Sequence, residues 1–177
     1  RRLPAAARRP GGAAKPRWSR VGGWIPSPPP APFYRARERF TAGSRLQRCR
    51  VAFLDEIPPP RMVLILGEGR GNFLVELRKR FPEATVVVVD SSARMLEHAK
   101  RNAGESSAEF IHADVLNWTP ESGGFDLIVT HFFLDCFTAD ELDVLVPRLA
   151  DSAAPEAHWL LADFGIAPRG LARWRSR

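Results

Sequence analysis

Hydrophobic runs alternate with amphipathic stretches along residues 61–168. The runs have the length of strands, and residues 86–89 are four consecutive valines, which is typical of a strand buried on both faces of a parallel sheet. Between the runs, apolar residues recur at the three- and four-residue spacings of helices. This alternation predicts an α/β fold with a doubly wound, mostly parallel sheet. The predicted strands are Met62–Leu66 and residues 85–89, 110–111, 125–130 and 158–162.

Four predicted helices flank this sheet. The first ends at the prolines of residues 58–60, and Pro147 is expected to kink or shorten the fourth. Thr138 and Glu141 have the spacing of a capping box at the start of the fourth helix. The predicted inner faces are Leu46, Cys49, Phe53 and Ile57 in the first helix; Phe73, Leu74 and Leu77 in the second (72–80); Met95, Leu96 and Ala99 in the third, with Ser91 or Ser92 as N-cap and Gly104 beyond its end; and Leu142, Leu145 and Leu149 in the fourth.

The first predicted strand runs directly into a turn with three alternating glycines, Gly67, Gly69 and Gly71. Glycine permits backbone angles that a side chain would forbid, and it lets a ligand approach the main chain. A dinucleotide-binding turn would place its third glycine one residue later. Taken alone, the glycines leave open a nucleotide-binding turn or a turn that only packs a helix on the sheet.

Polar residues also follow the other predicted strands. Asp90 ends the second strand, Asp114 follows the third and His131 follows the fourth. Open parallel sheets bind ligands at the carboxyl ends of their strands, where the strand order reverses. We therefore expect these side chains and the glycine turn to surround one ligand.

Together these motifs resemble those of the class I S-adenosylmethionine-dependent methyltransferases. Gly67-x-Gly69-x-Gly71 is similar to motif I of that family, and residues 86–96 are similar to its second strand and acidic motif. Residues 110–115 resemble its adenine motif, 125–135 its motif IV and 158–164 its fifth strand. The resemblance covers residues 33 to about 168. It implies a Rossmann-like sheet with strand order 3-2-1-4-5, S-adenosyl-L-methionine as cofactor and methyl transfer as activity.

The resemblance also implies roles for single residues. A carboxylate at Asp90 would accept hydrogen bonds from both ribose hydroxyls, and one at Asp114 would accept from the adenine amine while the Val115 N–H meets a ring nitrogen. Family members commonly carry an acid two residues before the first glycine, where this chain has Ile65; Glu68 is expected to supply a carboxylate instead. The predicted cofactor-binding residues are Gly67, Glu68, Gly69, Gly71, Asp90, Ser91, Asp114, Val115 and His131.

His131 is the candidate catalytic residue, because a base at the ligand edge of the sheet would help if the acceptor were a hydroxyl or a protonated amine. The alternatives are a structural histidine or a passive wall. Residues 130–133 are Thr-His-Phe-Phe and not the Asn- or Asp-Pro-Pro-Tyr/Phe motif that the family associates with planar amines of nucleic acids and proteins. We therefore expect a small-molecule acceptor and no nucleic acid. Two alternatives are a non-catalytic cofactor-binding fragment and a nucleotide-dependent oxidoreductase.

Charge divides the chain into two parts. Residues 1–50 carry a net charge of +12 and residues 51–177 a net charge of −6, which together give the overall +6. The eight prolines among the arginines of residues 1–32 predict a disordered basic arm. Residues 33–168 are predicted to form the methyltransferase-like domain, with an N-terminal helical part (33–60) and the cofactor-binding sheet (61–168). Residues 169–177 are a basic tail, and because two further strands usual in the family are missing, we expect a truncated chain.

The spacing of the cysteines and the lengths of the hydrophobic runs argue against a metal site, a disulfide framework and a membrane span. Cys49 and Cys136 lack the paired spacing of a zinc site or a disulfide framework, so we predict no metal and a reducing, cytoplasmic location. No apolar run approaches the roughly 20 residues that cross a bilayer. The sequence therefore predicts a protein without a membrane span.

Overall fold

The computed structural model describes residues 43–120 and 124–164 and contains the predicted sheet. Five strands pair side by side in the order β3-β2-β1-β4-β5, and every pair is parallel. The predicted fold class and strand order are therefore confirmed. The strands are β1 (Met62–Leu66), β2 (Thr85–Asp90), β3 (Glu109–His112), β4 (Phe125–His131) and β5 (Ala153–Ala162); the helices are α1 (Gly43–Val51), α2 (Asn72–Arg80), α3 (Ala93–Ala103) and α4 (Ala139–Ser152).

The predicted arm (1–32) and basic tail (169–177) lie outside the described residues, as do residues 33–42 and 165–168 of the predicted domain. The division of the chain into arm, domain and tail stays a prediction. Within the described ranges, no helix is both long enough and apolar enough to cross a membrane.

Two hydrophobic layers enclose the sheet, one on each face. Successive residues of β1 alternate between them, with Val63 and Ile65 in the layer under α2 and Leu64 and Leu66 in the layer under α4. All four valines of residues 86–89 are at most 7% exposed. Burial of one such side chain contributes on the order of 1.5 to 3 kcal/mol, so the valine run stabilises the sheet from both faces.

The helix starts largely agree with the sequence patterns. Ser92 caps α3 by accepting a hydrogen bond from the Met95 N–H at 3.4 Å. Thr138 and Glu141 form the predicted capping box, with the Thr138 N–H donating to the Glu141 carboxylate at 2.7 Å. Leu96 and Ala99 of α3 and Leu145 and Leu149 of α4 are buried as predicted, whereas Met95 and Leu142 are only half-buried.

The first helix differs from the prediction. α1 ends at Val51, well before the prolines, and residues 52–56 form tight turns such as the Leu54 N–H donating to the Val51 carbonyl at 3.1 Å. Because the helix ends at Val51, Phe53 does not lie on its inner face as predicted, and its side chain is 57% exposed. Leu54 is buried in its place.

The last helix and strand also differ from the prediction. α4 continues for five residues beyond Pro147 to Ser152, so the proline does not end it. β5 begins at Ala153 rather than at His158, and the extra residues form an irregular stretch in which Phe125 pairs with Ala153 but Leu127 pairs with His158. Glu156, within this stretch, has a φ of 64°, which interrupts the regular alternation of a strand. The hydrophobic pattern therefore could not reveal the early start of β5.

The closest approach between α2 and α3 occurs at Gly71. A Cβ at this position would lie 2.9 Å from the Cα of Ala99 and 3.0 Å from its carbonyl oxygen. Both atoms belong to a helix backbone, which cannot move aside alone. Gly69 has a similar φ of 70°, but an added Cβ there would meet nothing within 4 Å. Substitutions at these two glycines therefore distinguish the free-energy cost of a left-handed backbone from the cost of steric crowding.

We expect Gly71→Ala to destabilise the fold more than Gly69→Ala, as measured by urea unfolding. Gly69→Ala should cost about 1 to 2 kcal/mol, because alanine disfavours a left-handed backbone. Gly71→Ala should cost about 1 to 3 kcal/mol more, because it also crowds the helix pair. Equal losses in the two variants would contradict the close packing of α2 on α3.

Candidate functional site

The carboxyl ends of β1, β2, β3 and β4 form one edge of the sheet. The glycine turn follows β1, Asp90 ends β2, Asp114 lies two residues after β3 and His131 ends β4. The β1–β2 register matches Leu66 with Val89, and the Gly67 N–H continues it by donating to the Val89 carbonyl at 2.9 Å. The structure therefore brings the predicted site residues to one edge, as parallel strands require.

Gly67 and Gly69 serve different purposes in the turn. The ring of Phe133 lies against Gly67, where a Cβ would approach its Cδ2 atom to 2.3 Å. Phe133 also packs edge-on against Phe137, with ring centroids 5.1 Å apart. Gly69 faces open space. A ligand can therefore approach the main chain at Gly69, while Phe133 covers the neighbouring part of the turn.

Asp90 connects β2 with the glycine turn. Its carboxylate accepts a hydrogen bond from the Ser92 N–H at 2.8 Å. Burial raises the pKa of Asp90 above its usual 3.8, whereas the Ser92 N–H, the nearby Gly69 N–H and His112 act in the opposite direction. The carboxylate thus lies half-buried near the open glycine.

Glu68 lies inside the turn and is only 8% exposed. One carboxylate oxygen accepts the Phe73 N–H at 2.9 Å and the Leu74 N–H at 3.1 Å. These donors belong to the first turn of α2, whose N-cap residue Gly71 has no side chain that could accept them. Glu68 therefore caps α2 from within the loop. Its predicted contact with the methionine end of a cofactor stays a prediction.

Burial has a large effect on the acidity of Glu68. It raises the pKa from 4.5 to about 7, although hydrogen bonds from Leu74 and Phe73 and the charge of Arg50 act in the opposite direction. The nearby Asp90 raises the pKa further. A proton is thus retained by the folded chain at pH values where the unfolded chain has released it.

Asp114 and Val115 form the turn that follows β3. The exposed Asp114 carboxylate accepts hydrogen bonds from the Leu116 N–H and from Asn117 Nδ2, both at 3.0 Å. The Val115 side chain is buried in the layer under α4. Arg148 of α4 holds this turn by donating to the carbonyls of Val115, Leu116 and Trp118 at 3.1, 2.8 and 3.2 Å. Ser91 is exposed between β2 and α3, and its carbonyl accepts from His112 Nε2 at 3.1 Å.

His131 is buried, with 8% of its surface exposed. Its ring packs edge-on against Phe73 at a centroid distance of 4.7 Å, and its Nδ1 atom is buried without a hydrogen-bond partner. Burial and the positive charge of Arg50 lower the pKa of His131 to about 4. The imidazole is therefore neutral at pH 7 and a weak base, which argues against the predicted proton-transfer role.

Three residues outside the predicted site also contribute to this edge. Arg50 places its guanidinium carbon 5.2 Å from the ring centroid of Phe132. Phe132 has φ of 55°, a strained conformation for a bulky residue, and its N–H donates to the Ala162 carbonyl at 2.6 Å. His112 lies beside Asp90. Of the three, His112 and Phe132 carried a signal, because they stand inside the segments that resemble the adenine motif and motif IV, whereas Arg50 carried none.

No group of three or more histidine, cysteine, aspartate or glutamate side chains able to hold a metal ion occurs in residues 43–120 and 124–164. Cys49 and Cys136 are both exposed.

We expect Glu68 to make stability depend on pH. As pH rises from about 4.5 to about 7, its contribution to the free energy of unfolding should fall by at most roughly 1.4 kcal/mol per unit, because only the folded state still binds the proton. Glu68→Gln keeps an acceptor oxygen for α2 but does not titrate. Urea unfolding at pH 5 and pH 8 should show this variant gaining stability relative to the natural chain at the higher pH.

Glu83→Gln is the matched control, since Glu83 is exposed in the turn before β2. Its stability difference from the natural chain should be the same at both pH values. The same result for Glu68→Gln would show that the buried carboxyl does not retain its proton.

Comparison with known proteins tests the family suggested by the motifs. A family model described as a methyltransferase domain matches residues 63–156. The chain is 39% identical over 111 residues to trans-aconitate 2-methyltransferase of Streptomyces coelicolor, covering 59% of this chain and 35% of that protein. It is 31% identical over 115 residues to malonyl-[acyl-carrier protein] O-methyltransferase of Halalkalibacterium halodurans, covering 63% and 42%.

The fold is also similar to solved structures. Phosphoethanolamine N-methyltransferase 1 of Haemonchus contortus, in complex with phosphoethanolamine and S-adenosylhomocysteine, superposes with a TM-score of 0.62 at 19% identity, covering 72% of this chain and 28% of that chain. The chain spans about a third of the length of the trans-aconitate methyltransferases that it matches. Because the family model matches more than half of the 177 residues, the protein belongs to the methyltransferase-domain family, as its motifs suggested.

Proposed function

We propose that the protein binds S-adenosyl-L-methionine and transfers its methyl group to a small-molecule acceptor. The observation that carries this proposal is the junction of Gly69 and Asp90, where an open, left-handed glycine lies near a half-buried carboxylate that accepts the Ser92 N–H. A side chain at Gly69 would fill the space through which a ligand reaches the main chain. The site therefore fits a nucleoside whose ribose lies against Asp90.

The other residues of the edge fit the remaining parts of the cofactor. The Asp90 carboxylate would accept hydrogen bonds from the two ribose hydroxyls, since it offers two oxygens to a diol. Asp114 and the Val115 N–H would hold the adenine, on a turn that Arg148 positions. The glycine turn and Ser91 would border the ribose, while Glu68 supports the turn by capping α2.

The neutral His131 indicates which acceptors the site suits. With a pKa of about 4 it is a poor base, so an acceptor that arrives already deprotonated is favoured over a hydroxyl or an ammonium group. The names of two relatives, trans-aconitate 2-methyltransferase and malonyl-[acyl-carrier protein] O-methyltransferase, both denote acceptors with carboxylates. These arguments support a carboxylic acid as acceptor of this chain.

The chemistry of such a reaction makes few demands on the protein. When bound, S-adenosylmethionine would supply the methyl group of its sulfonium; the new bond to a carboxylate oxygen would form as the sulfur–methyl bond breaks, which gives a methyl ester and S-adenosylhomocysteine without proton transfer. The residues of the chain need to hold the acceptor in line and to exclude water. Phe133 on Gly67 and the edge-on Phe137 provide an apolar wall for that purpose.

Asp90→Asn tests the proposal by titration calorimetry with S-adenosylhomocysteine. The variant keeps an acceptor oxygen for the Ser92 N–H but removes the charge that strengthens the ribose contacts. We expect the dissociation constant to rise at least about tenfold, since hydrogen bonds to charged groups contribute about 1.5 to 3 kcal/mol each.

The control for this experiment is Asp143→Asn on the exposed face of α4, which should bind like the natural chain. Titration with NAD should give no heat. A natural chain that binds NAD but not S-adenosylhomocysteine would overturn the proposal and favour an oxidoreductase.

Arg148→Gln tests the placement of the adenine. The variant weakens the hold on three carbonyls of the turn after β3, so we expect binding of S-adenosylhomocysteine and of adenosine to weaken by about the same factor, roughly threefold to tenfold. Arg94→Gln, exposed in the first turn of α3, is the control. If Arg148→Gln binds both ligands with unchanged affinity, the turn after β3 does not hold the adenine.

A further inference from the structure

A cavity of about 190 Å³ adjoins His131 at the carboxyl end of β4. It lies between α1 with the turn after it and the ends of β4 and β5, and its walls include Arg50, Phe53, His131, Leu160, Leu161 and Ala162. Pockets for drug-sized ligands measure about 300 to 1,000 Å³. This cavity therefore suits a short molecule and is too small for a nucleotide.

His131 presents an unsatisfied polar atom in this region. The side chain is more than nine-tenths buried, it lines the cavity, and its Nδ1 atom lacks a hydrogen-bond partner. Buried polar atoms in folded proteins are nearly always hydrogen-bonded, and each exception calls for an explanation such as a ligand. The Nδ1 atom itself has almost no accessible surface, so a ligand in the cavity becomes its partner only when the imidazole ring turns toward the cavity.

Arg50 adds a positive charge to the same wall. Its guanidinium group lies over the Phe132 ring, and its charge acts on both His131 and the buried Glu68. Among the described lining residues it is the only lysine or arginine. One cation beside one imidazole nitrogen suits a singly charged, planar group with two oxygens better than a phosphate, which needs more donors.

The rest of the wall is apolar and partly open to solvent. Leu160 and Ala162 lie along β5, and Phe53 and Leu161 are 57% and 55% exposed at the rim. Such a wall accommodates a short carbon skeleton, and its described residues offer no charge partner besides Arg50. The lining as a whole therefore matches a small organic acid, with its charged group toward Arg50 and its carbon atoms toward β5.

We propose that this cavity is the acceptor subsite, in which Arg50 and His131 Nδ1 bind a carboxylate of a short organic acid. The inference rests on the proposed function, because it names the acceptor's place in the same site. Arg50 supplies the counter-charge and His131 donates a hydrogen bond. On this assignment His131 is a binding residue and not a base.

Calorimetry on the full chain saturated with S-adenosylhomocysteine tests the subsite. The probes are trans-aconitate, malonate and succinate, with the trimethyl ester of trans-aconitate as an uncharged analogue of the same skeleton. We expect at least one acid to bind and the ester to give no heat. Arg50→Gln should weaken binding of that acid at least tenfold, and Arg50→Lys, which keeps the charge, should recover part of the loss.

Two further variants sharpen the test. Arg48→Gln removes a charge from the exposed face of the same helix and should bind the acid like the natural chain. His131→Phe fills the space without a nitrogen and should weaken acid binding several-fold. Circular dichroism and an unchanged affinity for S-adenosylhomocysteine will show that each variant is folded with an intact cofactor site.

The outcomes separate this inference from the proposed function. If S-adenosylhomocysteine binds but none of the acids does, or if an acid binds equally well to Arg50→Gln, the subsite is wrong and the proposed function stands. If Arg50→Gln no longer binds S-adenosylhomocysteine but still binds the acid, Arg50 belongs to the cofactor site and the inference is overturned. If the natural chain does not bind S-adenosylhomocysteine, the proposed function fails and the acceptor role of the cavity fails with it.

Discussion

The parallel pairing of β1 with β2 is the constraint on which the candidate site depends. The register that matches Leu66 with Val89 is continued by the Gly67 N–H, which donates to the Val89 carbonyl, so the glycine turn must leave the sheet beside Asp90. The Gly69 N–H then lies near the Asp90 carboxylate. A shift of one residue would turn the buried side chains of the strand to the opposite face, so the hydrophobic core and the geometry of the site are determined together.

The glycine turn is shaped as much by its neighbours as by any ligand. Phe133 packs against Gly67, the backbone of α3 lies against Gly71, and Glu68 is enclosed as the cap of α2. A buried carboxyl is normally costly, and two N–H groups of a helix N-terminus offset part of that cost. Only Gly69 stays open. The same loop therefore joins two helices to the sheet and leaves one short stretch of main chain available for binding.

Much of the fold followed from local patterns. The strand at the valine run and the capping residues Ser92 and Thr138 were visible in patterns of a few consecutive residues, and the structure confirms them. The errors fall where long-range contacts override the pattern. α1 ends early, with Leu54 rather than Phe53 entering the core, and β5 starts early through an irregular pairing with β4.

The sequence by itself determined the α/β architecture and the edge of the sheet where Gly69, Asp90, Asp114 and His131 lie, because hydrophobic periods are local properties of the chain. The strand order and the family followed from the resemblance of its motifs to those of known methyltransferases. Only the tertiary structure decided what each side chain faces there. It turned Glu68 inward onto α2, placed Phe133 on Gly67 and brought Arg50 to His131 across a cavity. Arg50 and His131 are 81 positions apart in the chain, so they line the same cavity only because of tertiary packing. Burial, and after it the charge of Arg50, lowers the pKa of His131.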